Sequence, residues 1–151
     1  MTSQQSKDEL TQHFLSIRAD LRSALDGLSE AQMLEPTIDG WSVKDHLAHM
    51  AFWDDLRAAD IERISAGYES AWPITVDSDQ LNGIVQGARS GLSLKQVMLE
   101  FEAARQRVLD AVAAATPRGL DASLYGDPAL RTDHDLAHAE YIRSWRRQRG
   151  I

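Results

Sequence analysis

A chain of 151 residues fits one domain of ordinary size and can bury a sizeable core. Its 16 basic residues stand against 23 acidic ones, for a formal charge of -7, which speaks against non-specific DNA binding and leads us to expect no nucleic-acid partner. Cysteine is absent, so disulfides, thiolate metal sites and cysteine nucleophiles are excluded, and a metal would have to be held by His, Asp or Glu.

The opening MTSQQSKDEL is polar and lacks the apolar centre of a signal peptide. No apolar run approaches the roughly 20 residues of a membrane helix. A cytoplasmic protein with no membrane partner is expected.

The first helical pattern follows at Leu10, Phe14, Ile17, Leu21, Leu25 and Leu28, with Ser6 as its cap and Gly27 near its end. SEAQMLEP adds a short turn before Pro36. The second helix starts at Ser42, with Asp45 in a capping box, runs through Val43, Leu47, Met50, Ile61 and Ile64, and stops at Gly67. YESAWPITVDSD then reads as a long loop, of the kind that carries function.

SDQLNGIVQGARSG is a weak helical piece, because its two interior glycines lower helix propensity. A strong helix begins at Ser93, with Gln96 completing a capping box, and carries Val97, Phe101, Ala104, Val108 and Val112 until Thr116 and Pro117. A Gly-, Asp- and Pro-rich loop leads to the last helix, capped by Thr132, with Asp133 and Asp135 in its first turn. The arginines at 143, 146, 147 and 149 suit a helix C-terminus. Four amphipathic helices with long connections and no strand pattern predict an all-α four-helix bundle, one domain over 1–151.

Four of the five histidines fall in two short stretches, WSVKDHLAHM and TDHDLAHAEYIRSW. His134 and His138 are four apart, which stacks their side chains about 6 Å from one another on one helix face. That spacing suits two imidazoles on one metal ion, with a third ligand from another helix. His46 and His49 both flank the apolar stripe of the second helix, and periodicity does not choose between them.

GWSVKDHLAHMAFWD resembles the second-helix signature of the DinB-like four-helix-bundle superfamily. Its closing His-x-x-x-Trp is closer to the DfsB/ClbS branch, as are Leu81-Asn82 before an amphipathic helix with a phenylalanine, and HDLAHAEYIRSW in the last helix. The resemblance spans Leu10 to Arg147. It implies a divalent metal, zinc or nickel, held by His49, His134 and His138, with His46 a neighbour. It also implies a homodimer.

Two enzymatic readings follow from the resemblance. In the first, a metal-dependent thiol-transferase or hydrolase acts on a small molecule, and any thiol is a low-molecular-weight cosubstrate, since the chain has none. Trp53, Tyr68 and Trp72 would wall the cleft. In the second, a metal-independent DfsB/ClbS-like protective hydrolase or sequestering protein positions water through Tyr141 or His49. The alternative to both is a non-enzymatic helical dimer with structural histidines.

Overall fold

The computed structural model describes residues 2–72 and 77–151. Its helices are α1 (Ser3–Leu25), α2 (Glu30–Leu34), α3 (Val43–Ser65), α4 (Ser78–Arg89), α5 (Leu94–Ala114) and α6 (His134–Arg149). Two 3-10 turns, Arg118–Leu120 and Ala122–Leu124, lie between α5 and α6. Among the described residues there is no β-strand, only an isolated bridge between Pro36 and Ser42. The four long helices α1, α3, α5 and α6 form the expected bundle, with α3 along α5 and α1 along α6.

Local chemistry explains the helix starts. Ser42 Oγ accepts the Asp45 N–H at 3.1 Å while Asp45 accepts the Ser42 N–H at 3.0 Å, the reciprocal box expected from the sequence. α1 starts four residues earlier than expected, because Thr2 and Gln5 form the same box and leave Ser6 inside the helix. Ser93 Oγ caps Gln96 N–H at 3.1 Å, but the Gln96 side chain faces Glu100 instead of closing a box. On α6 the cap position is Asp133, and Thr132 Oγ1 accepts the His134 N–H at 3.2 Å. α4 is a full helix despite its glycines: Asp77 caps two N–H groups, Val85 is buried, and packing overrides propensity.

The arginines of α6 serve more than the helix dipole. Arg143 grips Asp20, and Arg146 donates to the Ala24 and Asp26 carbonyls at the end of α1. Arg147 and Arg149 pair with Glu140 and Glu35. The contacts of Arg143, Arg146 and Arg149 clamp α6 to its neighbours, while Arg147–Glu140 lies within α6.

The apolar core is divided in two. One cluster holds Leu21, Val43, Leu47, Met50, Phe101, Ile142 and Trp145; the other holds Leu10, Phe14, Ile17, Ile61, Val108, Val112 and Leu130. Between them lies a layer of buried charge made of Arg18, Asp54, Arg57, Arg105 and Asp135. Arg18 bonds Asp54 at 3.1 Å and Asp135 at 2.9 Å, and Arg105 bonds the same two carboxylates at 3.1 and 3.0 Å. The Arg18 guanidinium also lies 3.9 Å from the centre of the Phe101 ring, and Arg105 lies 5.0 Å from that of Phe14. Each cation thus faces the aromatic of one apolar cluster while bonding the carboxylates between them. Asp135, expected as a solvated first-turn charge, is 1% exposed and belongs to this layer.

Candidate metal centre

α3 is buried on nearly all sides, touched by α2, α4, α5, α6 and the first 3-10 turn. That is why both of its histidines are buried, His46 at 4% and His49 at 8% exposure. α6 packs with His134 and His138 toward them. His134 Nε2 lies 3.1 Å from His49 Nε2 and 3.0 Å from His138 Nε2. One ring nitrogen from each of the three comes within 4.8 Å of the other two.

Two hydrogen bonds do not satisfy this arrangement well. A ring nitrogen offers either one proton or one lone pair, so His134 Nε2 can pair properly with one neighbour only. Ligand nitrogens about 2.1 Å from a common ion stand about 3.0 to 3.4 Å apart, for octahedral to tetrahedral angles. The two separations from His134 match that range and the third pair lies within 4.8 Å, so small side-chain adjustments bring the donor set onto a divalent cation.

His46 is tied to the triad from behind. Its Nδ1 faces His138 Nδ1 at 3.0 Å, and its Nε2 lies 3.2 Å from the Asp39 carboxylate. Asp39 is held by a short loop between α2 and α3, where Gly40 takes φ +88°, a conformation costly for other residues. Tyr141 OH accepts the Asp39 N–H at 2.7 Å and pairs with Thr37 Oγ1 at 2.8 Å. The Trp41 N–H donates to Asp39 at 2.9 Å. Burial alone would raise the Asp39 pKa, but hydrogen bonds from Tyr141, the Trp41 N–H and His46 outweigh it and leave it below the ordinary value.

Burial drives all four imidazoles toward the neutral form. The His49 pKa falls to about 4, first by desolvation and then by repulsion from His134 and His46. His138 falls to about 2 through desolvation and the other three histidines. His134 and His46 are lowered as well, desolvation again leading. Neutral imidazoles near pH 7 keep the lone pairs a metal needs. Nδ1 of His49 is buried with no partner among the described residues.

A cavity of about 290 Å³ opens beside the triad. His49, Trp53 and Arg57 of α3 line it, with Asn82 of α4, Asp127 and Thr132 of the connection before α6, and His134. Trp53 Nε1 donates to Asn82 Oδ1 at 2.7 Å and ties α4 over the cavity. His49 and His134 therefore present the triad to the cavity, while His138 stands behind them against His46.

The structure brings together His46, His49, Trp53, His134, His138 and Tyr141, although Tyr141 supports the Asp39 loop rather than the cavity. Tyr68 and Trp72 are not part of it. Tyr68 is 64% exposed at the far end of α3, beside Arg63, about 21 Å along the helix from His49. Trp72 lines a different cavity, of about 470 Å³, with Ile64, Ser70, Arg118 and Tyr125. The segment leading to it is anchored by Ser70 and Ala71 on buried Asp60, about 16 Å along α3 from His49. Of the rest of that predicted loop, 73–76 lie outside the described residues, and Asp77 caps α4, which takes in Ser78 and Asp79. The residues missed from sequence are Asp39, which no periodicity marks, and Arg57. A charged side chain three or four positions from buried apolar ones, as Arg57 is from Ile61, was the available signal.

Among the described residues no helix is long and apolar enough to cross a membrane. None of the curated proteins matches the chain. Among solved structures, an uncharacterised protein from Escherichia coli UTI89 is similar over 96% of this chain and 95% of its own, at 16% identity and a TM-score of 0.72. The colibactin self-resistance protein ClbS, in a complex with double-stranded DNA, is similar over 91% of this chain and 89% of its own, at 12% identity and a TM-score of 0.63. ClbS among the neighbours accords with the DfsB/ClbS resemblance. It also overturns the expectation of no nucleic-acid partner: a protein of this fold holds a duplex, and a net charge of -7 sums a whole surface without describing any one face of it. The DinB superfamily profile matches residues 13–140, and the chain belongs to that superfamily.

Proposed function

We propose that His49, His134 and His138 hold a divalent cation, zinc or nickel, and that the chain is a metal-dependent hydrolase or thiol transferase acting on a small molecule in the adjoining cavity. The observation that carries this is the approach of His134 Nε2 to two other Nε2 atoms at 3.0 and 3.1 Å, on the wall of that cavity. Three imidazoles leave coordination positions open, as catalytic sites do. Such an ion supplies Lewis acidity, lowering the pKa of a bound water or thiol toward neutrality.

The chain's own residues do the rest. Asp39 accepts from His46 Nε2, so His46 Nδ1 accepts from His138 Nδ1, which sets the tautomer of both rings. Trp53 and Asn82 close one side of the cavity and limit water there. Since the chain has no cysteine, a thiol nucleophile would be a low-molecular-weight cosubstrate.

Elemental analysis of protein purified without chelator tests the reading. About one zinc or nickel per chain is expected, and none in His138→Ala. Metal-free protein that takes up none on titration would sink it.

The presence of ClbS among the structural neighbours favours a second reading, a metal-independent protective or sequestering protein. Here the cavity beside Trp53 holds a reactive small molecule, and duplex DNA is a candidate partner. A variant with all three histidines changed to alanine would retain ligand binding. A mobility shift with duplex DNA at low salt, lost as salt rises, would support the DNA partner.

A further inference from the structure

We propose that Arg57 anchors an anion subsite in the cavity beside His49 and His134, and that the molecule seated there carries a carboxylate or phosphoryl group. The inference rests on the metal-centre reading for the reacting end of that molecule and on Arg57 alone for its anionic end.

The buried charged layer is unbalanced. It holds the guanidiniums of Arg18, Arg57 and Arg105 against the carboxylates of Asp54 and Asp135, all at 5% exposure or less; the other buried carboxylate, Asp60, lies outside the layer and is engaged by Ser70 and Ala71. Arg18 and Arg105 each bond both carboxylates. Arg57 makes its one ion pair in the layer with Asp54, through Nη1 at 3.0 Å, and feels Asp135 and Asp127 only at longer range, so it is the least compensated of the three arginines by direct contact. A buried cation without a full counter-charge is costly, and it is expected to attract one.

The unbalanced arginine is the one that faces the cavity. Its Nε donates to the Ala129 carbonyl at 2.8 Å, which fixes the plane of the guanidinium. Nη2 has no hydrogen-bond partner among the described residues. A planar fork with open N–H groups suits the paired oxygens of a carboxylate or phosphate. Asn82 adds a neutral polar group beside His49: its Oδ1 accepts from Trp53 and its amide lies on the cavity wall. The volume of about 290 Å³ fits a small molecule rather than a chain segment. Among the described residues Asp127 is the only acidic one lining the cavity; it is exposed and accepts from Ser78 Oγ at 3.0 Å. It marks the mouth and opposes an incoming anion, so it provides a control of opposite sign.

Metal-stripped, full-length protein is titrated with inorganic phosphate and, separately, with malonate at constant ionic strength, followed by protein NMR. Saturable shifts around Asn82 and Ala129 are expected, and the tighter probe identifies the phosphoryl or carboxylate class. Arg57→Gln leaves two guanidiniums against two carboxylates, so the layer stays paired, and binding should weaken about tenfold or more. Asp127→Asn should tighten it by about two- to fivefold. Equal affinity in wild type and Arg57→Gln, or no saturable shift near the cavity, overturns the proposal. Should Arg57→Gln fail to fold, unchanged or weaker binding in Asp127→Asn overturns it. Zinc content is measured on the same wild-type preparation before stripping. Arg57-dependent binding in a protein that never takes up metal would remove the metal centre and leave this subsite standing.

Discussion

His46 and His138 sit on different helices and face each other through Nδ1 atoms 3.0 Å apart. One of the two nitrogens must carry the proton and the other the lone pair. With Asp39 at 3.2 Å on the other side of His46, the arrangement favours Nε2–H on His46, leaving its Nδ1 to accept from His138. His138 then keeps an Nε2 lone pair pointing at His134, where a metal would use it.

His46→Ala removes that support without touching the triad. Metal affinity should fall by about 10- to 100-fold, the range typical for loss of a partner behind a ligating histidine. Competition against a chelator of known affinity measures it. Equal affinity in wild type and His46→Ala would rule out the supporting role.

The metal-free protein should lose stability on mild acidification. His46, His49, His134 and His138 all have folded pKa values below the ordinary 6.5, with His49 at about 4 and His138 at about 2. The unfolded chain therefore takes up protons first as pH falls. The stability these groups contribute is complete above about 6.5 and is lost toward the folded values, at up to about 1.4 kcal/mol per pH unit for His49 alone. Urea unfolding at pH 7, 6 and 5, above most carboxylate titration, reads this. A flat profile would mean the imidazoles are hydrated in solution.

Asp135→Asn should cost about 3 to 5 kcal/mol, because it strips Arg18 and Arg105 of a shared buried counter-ion. Asp133→Asn, one turn-position away but 74% exposed at the side chain, should stay within about 0.5 kcal/mol. Denaturant midpoints of the two variants decide whether first-turn acidity or the buried layer explains Asp135.

Asn82→Leu leaves the Trp53 indole N–H without its acceptor, at a cost of about 1 to 3 kcal/mol. The damage should be local. Hydrogen exchange of α4 amides is expected to quicken, while α3 and α5 amides remain protected. Uniform acceleration across the bundle would show instead that α4 is integral to global stability.

Much of this molecule was legible along the chain. The stripes through Leu10, Phe14, Ile17 and Leu21 and through Val97, Phe101, Val108 and Val112 became core, because a spacing of three to four places side chains on one helical face wherever the helix ends up. Ser42 and Asp45 capped as expected for the same local reason. The pairing of His134 with His138 was likewise a property of a single helix.

His49 and His46 were harder, because α3 is buried almost all round and has no wet face from which to orient the dry one. Resemblance chose His49, and the structure places it beside His134. Tyr68 and Trp72 were assigned to the cleft by their character as aromatics in a loop, yet α3 carries these two residues away from His49. The buried layer was visible only as charged residues at stripe positions: Arg18 four after Phe14, Arg105 four after Phe101. Their partners stand 36, 51, 117 and 30 residues away in the chain.

The sequence alone determined the long helices, the Ser42–Asp45 cap and the placing of His134 and His138 on one face of α6, since each depends on spacings within a few residues. Only the tertiary structure decided that His46 backs His138, that Asp39 reaches His46, and that Arg57 is left unbalanced at a cavity. The His46–His138 contact joins residues 92 apart and Arg57 reaches Ala129 across 72, while Asp39 reaches His46 across only seven, through the loop before α3. Their distances follow from how four helices pack together, which no local spacing encodes.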